Sequence, residues 1–205
     1  MNKIIPKFFF KRTGDIIFSV VILVFFIPLW VIISLLVKIT SQGPVFFKQN
    51  RPGKNGVIFQ VIKFRTMKSG SDKMIRGQEV SLDDNRITSF GKFLRRTKID
   101  EIPQILNILK GDMSLIGPRP ERIQSLEYYD DFISKRLLMR PGITGLAQVS
   151  GNIYLDLSIR YKYDVYYVQN YSILLDFKIM FRTLFVIILG EKKYSNKPLV
   201  VLKSD

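Results

Sequence analysis

Two adjacent carboxylates, Asp100 and Glu101, directly follow Arg95, Arg96 and Lys98 in a chain with 17 Asp and Glu against 32 Lys and Arg. An ionised aspartate can attack phosphorus to give an acyl phosphate, and a neighbouring glutamate can hold a divalent ion that neutralises the transferring group. The apolar spacing that follows, Ile102, Ile105, Leu106, Ile108 and Leu109, predicts a helix from Ile99 to Lys110 with Gly111 as its stop. Its first backbone N–H groups would attract phosphate as readily as carboxylate. The plainer reading is that both acids only cap the helix and complement its dipole; from these two residues alone it is the stronger one.

The chain has no Cys and no His. Thiolate and imidazole chemistry are therefore excluded, leaving Asp, Glu, Lys, Tyr, Ser or an ion held by oxygen ligands. Two further cationic groupings stand out. In Gly117-Pro118-Arg119-Pro120 two prolines hold one guanidinium in a stiff setting suited to bidentate phosphate contact. Lys63-Phe64-Arg65-Thr66 is the other; each alone is more often a turn or a solvated strand end. No Walker-type loop and no GxGxxG fingerprint occurs.

The elements that must position these residues begin with an anchor. Ile16 to Val37 carries no charge, and its length reaches the ~20 residues that cross a bilayer core. It is longer than a signal-peptide core and has no small-x-small site behind it. Pro28 falls inside it, and basic residues flank both ends: Lys3, Lys7, Lys11 and Arg12 before, Lys38, Lys48, Arg51 and Lys54 after. A proline kink and two positive flanks favour a re-entrant helix broken at Pro28 over a straight span.

Val45–Gln49 and Val57–Lys63, joined by the turn-forming RPGKNG, predict a β-hairpin. Residues 69–89 are polar and predict a loop ordered only with ligand. Further helices are expected over Glu121–Met139, Ser158–Gln169 and Ile173–Leu189. On the last, Lys178 and Arg182 share a stripe that can face lipid headgroups while Asp176 turns toward protein. The fold class expected is α+β, mainly helical, with amphipathic interfacial helices. Its parts are an anchor over 1–40, a catalytic domain over 41–190 and a tail over 191–205.

Together NRPGKNG, IKFRTM, IDEIPQILNILKGDMSLIGPRP, RPGITGLAQVSG and KYDVYYVQNYSILLDFKI resemble the bacterial sugar transferase family, the small monotopic phosphoglycosyl transferases of the campylobacter N-glycan type. The resemblance runs from the anchor to about Leu189. It implies a re-entrant helix, a cytosolic α/β module on the bacterial inner membrane, Mg²⁺ dependence and a covalent phosphosugar-enzyme. By position Asp100 matches the family's nucleophile and Glu101 its metal-binding partner; Lys63, Arg95, Arg119 and Asp176 match positions lining the nucleotide or phosphate region. The implied reaction moves a sugar 1-phosphate from a UDP-sugar to polyprenyl phosphate, in particular undecaprenyl phosphate, with release of UMP. It would initiate glycoconjugate or polysaccharide assembly. Nucleic acid is not among the implied partners, and a homodimer is compatible with the family.

Two positions depart from the pattern. Ile27 stands where many relatives carry Ser before the proline, and Asn152 where many carry Arg, with Arg160 as a candidate substitute. Two other classes compete. A tethered binder of nucleic acid or anionic lipid would also explain the charge of +15, but it requires a steep salt dependence and no nucleotide sugar. A purely structural anchor requires that Asp100 be replaceable without loss of product.

Overall fold

The computed structural model describes residues 4–71 and 84–202, with side chains from residue 9. The predicted α+β, mainly helical class holds. Helix α1, Ile4–Thr40, is a single helix of 37 residues that continues through Pro28. The expected break is thus not a gap in the helix: proline removes one backbone donor and disturbs one turn, and the turns on both sides persist. At ~1.5 Å per residue such a helix is about 55 Å long.

Both ends of α1 dock on the same body. Near its start Lys11 pairs with Asp176, Arg12 donates to the carbonyls of Ile108 and Leu109, and Asp15 accepts from the Leu115 N–H. Toward its end Ile33 and Val37 are buried with Phe64 and Leu94, while the Trp30 and Phe64 rings meet edge to face. Between these contacts Val20, Val21, Val24, Phe25 and Ile27 are exposed.

The predicted hairpin forms from β1, Phe46–Pro52, and β2, Ile58–Phe64, antiparallel with Phe47 opposite Lys63 and Arg51 opposite Phe59. Asn55 takes a left-handed conformation at its tip, as Asn tolerates. Most of the predicted 69–89 loop, residues 72–83, lies outside the described residues; its base is closed by a Met67–Ile87 bridge. Helix α2, Ser89–Arg96, follows, capped by the Thr88 hydroxyl on the Gly91 N–H.

The helix expected from Ile99 divides. A 3₁₀ turn, Ile99–Glu101, leads through Ile102 and Pro103 into α3, Gln104–Lys110, which ends on left-handed Gly111. Asn107 of α3 accepts from the Ile62 N–H and donates to the Gln60 carbonyl, locking α3 to β2. Phe59, Val61, Ile108 and Met113 close a small core beneath that joint.

Strands β3, Ser114–Ile116, and β4, Gly142–Thr144, pair in parallel. A Cβ on Gly117 or Gly142 would run into the other segment's backbone, so the two glycines permit the GPRP turn to lie on the RPG turn. The helix expected over Glu121–Met139 is instead two 3₁₀ segments, Ile123–Tyr128 and Ile133–Leu138. Asp130 caps the second by accepting from the Ile133 N–H, which breaks the apolar periodicity in mid-course. Helices α4, Leu146–Val149, α5, Leu157–Gln169, and α6, Ile173–Leu189, complete the main core through Leu146, Val149, Tyr163, Tyr167, Ile179 and Val186. The segment after α6 packs back on this core through Leu199, Val200 and Leu202.

On α6 Lys178 is exposed, as expected, but Arg182 is not free for headgroups. It donates to the carbonyls of Val149 and Lys197 and covers the Tyr194 ring at 4.5 Å. The returning segment claims it.

Candidate active site

The entry to the acid pair is a sharp turn. Lys98 sits in the left-handed region, φ 58°, which directs the following 3₁₀ turn into the protein and buries both Asp100 and Glu101. The Glu101 N–H bonds to the Lys98 carbonyl, so the free amides expected at a helix start are partly used.

Glu101 is the hub. Its Oε1 accepts from Lys63 Nζ at 2.6 Å and from the Arg119 guanidinium at 3.2 Å. The side chains of β2 and of the Pro118–Pro120 turn therefore converge on one oxygen. Both cations hold the Glu101 carboxyl well below the usual carboxylate range, against burial that pushes it up, and Glu101 in turn raises Arg119.

Asp100 differs. Burial, and next the negative charge of Glu101, push its carboxyl up to about 6, while Lys63, Arg95 and Lys98 oppose the rise. Among the described residues its carboxylate forms no ion pair. It is buried, surrounded by positive charge and uncommitted, which suits a nucleophile. Arg95, from the last turn of α2, feels Asp100 as its strongest opposite charge and is fixed by donating from Nε to the Thr66 hydroxyl at 2.9 Å.

These residues line one broad cleft of about 2230 Å³, in which eleven cationic side chains stand against four carboxylates among the described residues. That excess selects a polyanion. The same cleft is bounded by Phe18 and Ile22 of α1 and by Leu184 and Ile187 of α6, so the cationic floor continues into an apolar wall.

Lys63, Arg95, Asp100, Glu101 and Arg119 thus come together as expected; Asp176 does not join them at the cleft wall. It faces protein, as its helical position suggested, but there it accepts from Lys11 at 2.8 Å and from the Tyr167 hydroxyl at 2.6 Å, tying α1 to α5 and α6. Asn152, buried with φ 49°, and Arg160 both line the cleft.

Sequence reasoning missed two groups. Arg51 lines the cleft beside Arg119, and a period of two along β1 could have found it, because Phe47, Gln49 and Arg51 share the Lys63 face. Arg136 and Asp164 form a buried pair at 2.5 Å, and Arg136 also donates to the Arg119 carbonyl at 2.8 Å, bracing the Pro-Arg-Pro turn from behind. A lone Asp among Tyr161, Tyr163, Val165 and Tyr167 was its signal.

Comparison with known proteins fits this geometry. The chain is 42% identical over 189 residues to the UDP-N-acetylgalactosamine-undecaprenyl-phosphate N-acetylgalactosaminephosphotransferase of Aeromonas hydrophila, covering 89% of this chain and 44% of that protein. It is 41% identical over 195 residues to the UDP-glucose:undecaprenyl-phosphate glucose-1-phosphate transferase of Klebsiella pneumoniae, covering 90% and 41%. The exopolysaccharide production protein ExoY of Sinorhizobium fredii is 36% identical over 198 residues, 90% of this chain and 88% of its own length. The chain thus spans less than half of the first two relatives and most of the third. Residues 6–190 match the model of the bacterial sugar transferases, which takes in every residue of the acid-pair site, and the chain belongs to that family.

Proposed function

We propose that the chain transfers a sugar 1-phosphate from a UDP-sugar to a polyprenyl phosphate, in particular undecaprenyl phosphate, releasing UMP, in the initiating step of polysaccharide or glycoconjugate assembly. The observation that carries this reading is the cleft itself: a nucleophile-type aspartate on a cationic floor that runs into an apolar wall. A phosphate on a long hydrocarbon chain needs both surfaces, and a nucleotide sugar needs the cationic one. The names of the relatives agree with that chemistry.

Asp100 attacks the phosphorus that bears the sugar. The bond from that phosphorus to the bridging oxygen breaks, and UMP departs with the electron pair, leaving an aspartyl phosphosugar. An oxygen of the lipid phosphate then attacks the same phosphorus and the Asp100 carboxylate is regenerated. Arg95 and Lys63 keep Asp100 ionised and receive the anionic group, while Arg119 is held by Glu101 and Arg136 in a fixed orientation toward the cleft.

Mg²⁺ belongs to the proposal. Glu101, with Asp100 beside it, offers hard oxygen ligands, and among the described residues no cluster of three or more acidic side chains occurs. One or two carboxylates completed by substrate phosphates is the donor set that Mg²⁺ accepts. A bound ion would supply charge neutralisation on the diphosphate.

The anchor is proposed to be re-entrant, with the catalytic body on the cytosolic face of the inner membrane. Both ends of α1 rest on that body while its middle exposes Val21, Val24 and Phe25, an arrangement that favours entry and exit by one face. Because the chain has no Cys, Asn2→Cys and Gln42→Cys can each be labelled with an impermeant thiol reagent in intact cells. Neither should react; labelling of Asn2→Cys alone would restore a span.

The covalent route predicts a single stoichiometric burst of UMP when a UDP-sugar is supplied without acceptor, and exchange of labelled UMP into the UDP-sugar under the same conditions. UMP appearing only when both substrates are present would replace it with direct transfer.

A further inference from the structure

Arg51 carries chemistry that the acid-pair site does not use. It is half-buried in the cleft, and its guanidinium donates to the neutral Gln49 Oε1 at 2.7 Å, which fixes one end of the fork. Among the described residues no carboxylate forms an ion pair with it. Burial and then the like charge of Arg119 lower its pKa to about 10, with Arg122 adding to them, while Glu121 and Glu101 oppose the fall. Desolvated like charges repel, and an anion between them relieves the repulsion.

The placement is built from two elements. The register of the hairpin puts Arg51 on the face of Lys63, four residues along β1 from the position opposite it, a separation of about 13 Å at ~3.3 Å per residue. The end of β1 then packs on the Pro-Arg-Pro turn, since Pro52, Gly53, Pro118, Arg119 and Pro120 wall one small cavity of about 10 Å³. Arg119, which donates to Glu101, walls that same cavity, while Arg95 is held by the Thr66 hydroxyl beyond the other end of β2. Arg51, opposite Phe59 on the hairpin, therefore adjoins the Arg119 side of the acid pair, away from Arg95.

Displacement at phosphorus requires the entering and leaving oxygens to be roughly in line, so the leaving phosphate must be received on the side away from Asp100. The surroundings of Arg51 suit a nucleotide there. The 3₁₀ segment Ile123–Tyr128 lies against β1 and gives the cleft the Gln124 amide, the Ser125 hydroxyl and the Tyr128 ring, which is 78% exposed. An exposed ring beside an amide and a hydroxyl is a platform on which a base can stack and be hydrogen-bonded.

We infer that Arg51 binds the phosphate that remains with the nucleotide, with Tyr128 as the base platform, so that these residues form a nucleoside monophosphate subsite distinct from the place of the lipid phosphate. This rests on the reaction proposed above. Arg51 then acts twice: it holds the nucleotide sugar, and it stabilises the charge that gathers on the departing monophosphate.

The test uses the full chain in detergent or nanodiscs, with UMP, uridine and undecaprenyl phosphate as probes. Arg51→Gln should raise the Kd for UMP and the KM for the UDP-sugar about tenfold or more, the range of a hydrogen bond to a charged group. The KM for undecaprenyl phosphate should stay within about twofold. Arg51→Lys should fall between, because charge remains and the planar fork is lost. Tyr128→Ala should weaken UMP and uridine together, whereas Arg51→Gln should leave uridine unchanged. An unchanged Kd for UMP, a loss confined to undecaprenyl phosphate, or an equal loss for both phosphates would overturn the inference. Equal melting temperatures of the variants and the wild type separate these results from misfolding. Wild-type protein that binds UMP yet releases none from any UDP-sugar would strike the proposed reaction and leave the subsite standing.

Discussion

Asp100 and Asp164 have much in common on paper and little in the molecule. Both carboxyls are pushed up to about 6, with burial the largest cause for each, and both have arginine as a neighbour. Asp164 is 2% exposed and closed against Arg136, itself 3% exposed, whose guanidinium lies 4.5 Å from the Tyr161 ring and 5.6 Å from the Tyr129 ring. Asp100 borders the cleft, and the positive charge around it comes from Lys63, Arg95 and Lys98, none of which forms an ion pair with it. A displaced pKa therefore marks a site only when the group can be reached and its counter-charge is not already spent. In the sealed pair the same ingredients brace the Arg119 turn.

Asparagine substitution should separate the two most widely. Asp100→Asn removes the nucleophile and should lower kcat/KM by at least about 10³-fold, since an amide attacks phosphorus poorly. Its effect on stability should have the opposite sign. The folded carboxyl titrates above its ordinary value, so Asp100 costs nothing below pH ~4 and becomes a burden as pH rises through about 6. At pH 7 the variant should melt a few degrees higher. Asp164→Asn leaves the Arg136 cation buried without its anion and should lose about 3 kcal/mol of stability, while the folded fraction keeps most of its rate. Thermal melts and initial rates on both variants decide the matter. A stable, inactive Asp164→Asn would erase the distinction.

Acidity offers a smaller and sharper contrast. Attack needs ionised Asp100, so the rate should fall about tenfold per unit below an apparent pKa near 6 and be level above it. The acid pair titrates as a unit, and the limb belongs to the pair. Initial rates between pH 5 and 8 with saturating substrates test this. A rate that holds to pH 5 would mean that the reactive carboxylate is not the one raised by burial.

Much of this arrangement could be read from the chain, and the part that could not has physical reasons. The hairpin was legible because β-branched and aromatic runs flank a Pro-Gly and an Asn-Gly, and local signals there agree with tertiary demands. Helices α5 and α6 were legible from apolar spacing. The acid pair, Lys63 and Arg119 were legible as separate clusters. Their convergence on one oxygen of Glu101 was not, for it depends on Asn107 locking α3 to β2 and on two glycines letting the GPRP and RPG turns touch. The 121–139 stretch misled because its apolar residues keep helical spacing, while Asp130 ends one turn and starts another. Asp176 was placed on the right face of its helix, but face alone does not say which neighbour it meets. Arg51 lies in sequence among the basic residues that flank the anchor, and only the register of the hairpin separates it from them by turning it to the Lys63 face.

The finest separation of structure from chemistry lies at Lys98. Its left-handed backbone turns the chain into the acid pair, its side chain is 47% exposed, and it pairs with Glu191 at 3.0 Å. A non-glycine residue in that conformation costs on the order of 1 kcal/mol, which the surrounding turn must offset. Its charge is also one of three that oppose the rise of Asp100. Asn tolerates the left-handed region and carries no charge, so Lys98→Asn keeps the turn and deletes the field. Stability should change by less than about 1 kcal/mol, because an ion pair whose lysine is half-exposed contributes little. The acid limb should move upward by a fraction of a unit, with the rate at pH 8 within about threefold of wild type. Lys98→Gly, which relieves the left-handed strain but loosens the unfolded chain, should show the same displaced limb with a melting temperature close to that of the wild type. If Lys98→Asn instead lost activity evenly at every pH, Lys98 would be touching substrate, and the field around Asp100 would have to come from Lys63 and Arg95 alone.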